Sequence, residues 1–201
     1  LTVIGRDYLY AERSRSLSGQ TFIIWSKDEQ EMINYFISTG GRSDWEPEHY
    51  TIPLLGLHQV ENAATAYATL ERAREAGLKI SKSSITKGFA NVKWPGRFEI
   101  VEREPLVIVD SAHNQDSALR LRLAMDDYLN GKPIILLFGA SEDKDVGGMF
   151  TYLLPRVQMV VATKSEHPRA MDPNILVELA HQYGIKAVLT TTIEEGLSEA
   201  L

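Results

Sequence analysis

From residue 106 onward, short apolar runs alternate with stretches of helical period. The pattern predicts a strand over 106–110, a helix over 114–129, a strand over 133–138 and a helix over 146–154. A strand over 157–163, a helix over 173–183, a strand over 186–190 and a helix from 193 complete it. Strands separated by helices of this length imply a Rossmann-like, mostly parallel sheet with helices on both faces. The first half of the chain has a different rhythm. "LTVIG" and "TFIIW" read as strands flanking a polar connection rich in Arg and Ser, and "YTIPLLG" as a further extended segment. His58 to Ala76 has a helical pattern that Gly77 closes, and "SKSSITKGFANV" reads as a shorter helix with its own loop. "KWPGR" then interrupts the chain. Trp-Pro-Gly continues neither a helix nor a central strand, so a domain boundary is expected near residue 95.

At about 100° per residue, Val60, Ala63, Ala64, Tyr67 and Leu70 share one side of the helix that starts at His58. His58, Asn62, Thr65 and Thr69 share the other. His58 and Asn62 are one turn apart, so both side chains can reach one group near the helix start. In the second half, Asp110 and His113 fall between an apolar strand and the next helix, the place where ligands bind in open α/β sheets. Arg97 follows a rigid Pro-Gly corner, and its planar fork of donors suits phosphate oxygens. Taken singly, each has a plainer reading. His58 and Asn62 would cap or solvate a helix, Arg97 would be a surface arginine, Asp110 would be an acid favoured by a helix dipole, and His113 a polar residue beside the same cap.

Composition narrows the function classes. The 201 residues are 44% hydrophobic, enough for one large domain or two ordinary ones, and contain no cysteine, which excludes disulfides and cysteine-ligated metals and fits a reducing compartment. No segment approaches the roughly 18 to 20 unbroken apolar residues of a membrane span. Residues 1–95 hold 11 basic and 11 acidic side chains, whereas residues 96–201 hold 10 against 16, so the net charge of −6 lies in the second half. Such a field disfavours a nucleic-acid partner. It is compatible with ATP, whose phosphates are held by a few local donors, and equally with a merely soluble acidic surface.

The motifs "LLGLHQVENAATA", "WPGRFEIV", "VIVDSAHN", "LLFGASEDKDVGGM" and "SEHPRAM" stand in an order and spacing that resembles the folylpolyglutamate synthase/dihydrofolate synthase family of the Mur-ligase superfamily. Gln59 after His58 and the "DKD" at 143–145 favour the folate branch. The resemblance implies that residues 1–95 are the last portion of a Mur-ligase-type central ATP-binding domain and 96–201 a C-terminal Rossmann-type domain truncated at its end. It also implies a cytoplasmic, monomeric ligase using ATP and Mg2+ to join L-glutamate to a folate or dihydropteroate carboxylate through an acyl phosphate. Asn62 resembles the contact to adenine, with His58 beside it. Arg97 resembles the arginine that reaches the ATP phosphates when the C-terminal domain closes. Asp110 looks like the carboxylate that engages the nucleotide, at the ribose, and His113 like a residue on the incoming glutamate.

Departures accompany the resemblance. No G-x-x-x-x-G-K-[ST] phosphate loop occurs in the chain, and the family's magnesium ligands and modified lysine belong to a region upstream. Ser111 stands where the family commonly has glycine, and no metal spacing such as H-E-x-x-H occurs. The chain opens without an initiator methionine and stops inside an expected helix, so both ends are expected to be cuts in a longer protein, and the chain alone is expected to be inactive. Two alternatives remain: a non-catalytic α/β interaction module derived from this family, and a ligase acting on a Mur-type peptidoglycan precursor.

Overall fold

"GQTFIIWS" carries the consecutive buried residues Phe22, Ile23 and Ile24 at its centre, and Gly19–Ser26 (β2) lies between Tyr8–Ser16 (β1) and Glu48–Ile52 (β3) in an antiparallel sheet. A side chain at Gly19 would meet the Ile52 carbonyl oxygen at 2.8 Å with φ at +139°, so glycine is required at that end of the hairpin. The computed structural model describes residues 1–201 and resolves into two units, Leu1–Glu99 and Ile100–Leu201. Neither unit has a helix long and apolar enough to cross a membrane.

In the first unit, Leu57–Glu75 (α2) and Lys82–Ala90 (α3) cover the three-stranded sheet. The face of α2 expected to pack does so, with Val60, Ala63, Ala64 and Tyr67 buried. Tyr50 lies 5.5 Å from Tyr67 and 5.1 Å from Phe89, ring centre to ring centre, at the middle of this core. Burial pushes both tyrosine hydroxyls above their ordinary pKa. Each large side chain so buried stabilises the unit by about 1.5–3 kcal/mol. Gly77 ends α2 at φ +99°, with its amide bonded to Arg74 O and that of Leu78 to Ala73 O, a Schellman closure.

Two expectations in this unit are corrected. "LTVIG" is not a strand: the Asp7 carboxylate accepts from the Arg6 guanidinium and from the Val3 amide, which winds residues 3–7 into a turn and holds that carboxyl at a pKa of about 2. The strand is instead β1, the segment read as a polar connection. As an edge strand buried fully only at Tyr8, it carries no alternating apolar signature. A helix at Gln30–Ser38 (α1) was not foreseen, because Ile33 is its one fully buried residue. Its approach was nonetheless written in "SKDE", where Ser26 and Glu29 form a capping box that opens a short 3-10 turn.

In the second unit, Ile135–Phe138 (β6), Met159–Ala162 (β7) and Lys186–Leu189 (β8) form a parallel sheet in that order. Val160, Val161 and Ala162 are fully buried, as a middle strand covered on both faces demands. Phe138 packs on Phe150 of Val146–Leu153 (α5) with ring centres 5.1 Å apart. Its neighbour Leu137, pointing the opposite way, approaches Gly196 of Ile193–Ala200 (α7) so closely that a Cβ there would lie 2.5 Å from Leu137 Cδ1. The sheet therefore carries helices on both faces. Gln115–Tyr128 (α4) and Pro173–Gln182 (α6) complete the alternation. The strand expected at 106–110 is corrected in role: Leu106–Val109 (β5) pairs with an unforeseen strand, Glu99–Arg103 (β4), in a separate two-stranded sheet. β4 escaped notice because its last three residues are exposed and two of them are charged.

Candidate functional site

The start of α2 is built on two glutamines. Gln20, 1% exposed at the beginning of β2, donates from Nε2 to Leu54 O (2.7 Å) and Gly56 O (2.9 Å) and so fixes the loop that delivers the helix. Gly56 enters the helix at φ +100°, a conformation that favours glycine. Gln59, also buried, lies 3.1 Å from His58 Nε2 and accepts from Asn62 Nδ2 at 3.2 Å. The structure thus joins the expected pair His58 and Asn62 through an intervening amide. Asn62 is exposed and His58 half-buried, so the cluster presents a polar edge at the helix start. Neither glutamine was among the expected site residues, although Gln59 was read as a mark of the folate branch. The signal lay in Gln59, a polar residue on the buried side of the helix.

Arg97 stands between two residues in the left-handed region, Gly96 at φ +73° and Phe98 at φ +46°. For a buried phenylalanine that conformation is strained, and it persists because the side chain is anchored, only 3% exposed. The Gly96 amide also donates to Glu99 Oε2 at 2.8 Å. The backbone on both sides of Arg97 is therefore fixed, while its guanidinium enters none of the ion pairs of the fold.

Asp110 and His113 share the turn from β5 into α4. Asp110 Oδ1 accepts from the Ala112 amide at 2.8 Å, so the carboxylate organises the turn, whereas Asn114 caps the helix by accepting from Ser117 N. His113 Nδ1 lies 3.0 Å from Ser111 O, which as a hydrogen bond places its proton on Nδ1 and leaves Nε2 as acceptor when the ring is neutral. The ring lines an open cleft of about 560 Å³ with Asn114, Gln115, Asp116 and the Asp143-Lys144-Asp145 segment. Lys144 pairs with Asp143 at 2.9 Å and lowers its carboxyl pKa. Asp145 caps α5 at the Gly148 amide (2.9 Å) and takes the Gln115 amide at 2.5 Å; these bonds depress its pKa, the Gly148 bond more than the Gln115 bond. Gln115 and Asp145 were not among the expected site residues, because a contact between residues 30 apart leaves no local pattern. No group of three or more His, Asp or Glu side chains is placed to hold a metal ion.

Residues 96–201, which include this cleft, match the family profile described as "Mur ligase, glutamate ligase domain". Across 88% of the chain the sequence is 33% identical to a probable bifunctional folylpolyglutamate synthase/dihydropteroate synthase of Haloferax volcanii. This chain belongs to the folylpolyglutamate synthase/dihydrofolate synthase family of Mur ligases. Among solved structures, the folylpolyglutamate synthase of Thermotoga maritima superposes on 100% of the chain with a TM-score of 0.78 and 27% identity. The bifunctional folylpolyglutamate synthase/dihydrofolate synthase of Yersinia pestis, complexed with AMPPNP and Mn ion, superposes on 74% with a TM-score of 0.63 and 30% identity. The chain spans less than half of each: 22% of the Haloferax protein, 43% of the Thermotoga chain and 34% of the Yersinia chain. These likenesses give the architecture. They leave the parts played by His58, Asn62, Arg97, Asp110 and His113 to their chemistry.

Proposed function

We propose that the chain is part of an ATP-dependent amide ligase that adds L-glutamate to a folate or dihydropteroate carboxylate. The observation that carries this reading is the coincidence of the glutamate ligase domain, residues 96–201, with the cleft that His113 lines. The AMPPNP complex of the Yersinia relative supports ATP as the phosphoryl donor. A carboxylate oxygen attacks the γ-phosphorus and ADP leaves; the glutamate amine then attacks the acyl phosphate carbonyl, loses a proton and expels inorganic phosphate.

The polar edge formed by His58, Gln59 and Asn62 suits a heteroaromatic base, which needs a few directed donors and acceptors beside an apolar surface. Arg97, on its fixed turn and without an internal carboxylate partner, suits the charge that develops on transferring phosphoryl oxygens. Asp110 suits a ribose hydroxyl and His113 the incoming amino acid. In this reading residues 1–95 close the central ATP-binding domain and 96–201 form the C-terminal one. The Mg2+ that accompanies ATP would be held by residues outside positions 1–201.

The test is ATP-dependent ligation by the full-length protein offered dihydropteroate, tetrahydrofolate or a UDP-muramoyl acceptor. Glutamate-dependent ADP release with the pterin acceptors supports the reading. Turnover with the muramoyl acceptor alone moves the chain to the peptidoglycan branch, and no turnover with any acceptor favours a non-catalytic module.

A further inference from the structure

The start of α4 and the Asp143-Lys144-Asp145 segment that leads into α5 form the two walls of the His113 cleft, and one side-chain contact spans them: Gln115 Nε2 donates to Asp145 Oδ2 at 2.5 Å. Asp145 is already committed to its own helix, because its other oxygen accepts from the Gly148 amide at 2.9 Å. Gln115 is committed to the other wall, next to the Asn114 cap and two residues beyond His113. Gly148 packs tightly against this contact. A Cβ at Gly148 would lie 2.1 Å from Gln115 Nε2 and 2.4 Å from Asp145 Oδ2, although Gly148 sits in an ordinary helical conformation with no backbone need for glycine.

We infer that Gln115, Asp145 and Gly148 form a positioning clamp that sets the width of the cleft between His113 and Lys144. The inference rests on the reading of that cleft as the amino-acid site. Gln115 and Asp145 are positioning residues: they act on the substrate by fixing the separation of the imidazole and the ammonium group. Glutamate carries two carboxylates and one amine, so its capture depends on the spacing of such groups more than on their strength.

The test uses the full-length protein and three variants. Gly148→Ala pushes on both the Gln115 amide and Asp145 Oδ2 without removing any hydrogen-bonding group; it should leave the protein folded while raising KM for glutamate on the order of fivefold, with KM for ATP unchanged. Gln115→Glu sets two carboxylates against each other and should raise the same KM by at least as much. The double variant Gln115→Glu/Asp145→Asn restores a bond of reversed polarity and should bring KM back to within about twofold of the parent, as expected for a directly coupled pair. A glutamate KM that stays within about twofold of the parent in both single variants, or a double variant no better than Gln115→Glu, overturns the clamp. Amide exchange at Gly148, without substrate, separates this from failure of the proposed function. Faster exchange in Gln115→Glu that is reversed in the double variant upholds the coupling of the two walls even if the parent proves to ligate nothing. Unchanged exchange in an inactive parent overturns it.

Discussion

Gln20 Nε2 bonds the carbonyl oxygen of Gly56 at 2.9 Å, tying the middle strand of the first sheet to the residue that opens α2. The amide is buried and the same nitrogen holds Leu54 O, so a single side chain satisfies two carbonyls that water does not reach freely. Gln20→Leu keeps the volume but strips both bonds. We expect it to lower unfolding free energy by about 1–3 kcal/mol, read from urea denaturation, and to weaken nucleotide binding because His58 and Asn62 lose their fixed helix start.

Arg97→Ala in the full-length protein should reduce kcat by about two to three orders of magnitude, the scale of removing a donor to transition-state charge. The turn is fixed by Gly96, Phe98 and the Gly96 bond to Glu99, so the melting temperature should hardly move. Wild-type turnover in a folded variant would reduce Arg97 to a surface residue.

Asp110 and His113 should separate by substrate. His113→Ala is expected to raise KM for glutamate, and Asp110→Ala to raise KM for ATP, each by roughly tenfold to hundredfold. Because Asp110 also holds the Ala112 amide, Asp110→Asn is the cleaner variant: its remaining oxygen keeps the turn while the charge is lost. Equal effects on both substrates would make the turn a structural element only.

The fold was largely legible where periodicity was local. The helical face of α2 and the strand-helix alternation from β6 to α7 follow from side-chain spacing, because each element buries one stripe of its own residues. Edge elements were not: β1 and β4 are paired by backbone hydrogen bonds that exposed Arg, Glu and Ser side chains neither aid nor betray. The candidate residues were legible as motifs, yet their partners were not. Gln20, Gln115 and Asp145 act through contacts that only folding creates, whereas Gln59 left one mark, as a polar residue on the buried side of α2.

The Gln115–Asp145 contact should persist through neutral pH and fail only in acid. Its hydrogen bonds depress the Asp145 pKa, so the stability they contribute is fully present above the ordinary carboxylate pKa and is lost as pH falls through the lower folded value. Following the Gly148 amide resonance against pH should show a transition below the range of a free aspartate. A midpoint at or above that range would mean that neither bond forms in solution.

The chain's own residues, without any phosphate loop, should neither hydrolyse ATP nor add glutamate, whereas the full-length protein should do both in a coupled way. The most direct measurement is ADP release by the full-length protein, matched against glutamylated pterin product and repeated with glutamate or the pterin carboxylate omitted. We expect one ADP per glutamate added and loss of net product when either is left out. ATP hydrolysis that ignores both substrates, or no ligation of glutamate to any pterin carboxylate, would contradict assignment of this cleft to a folate-directed glutamate ligase.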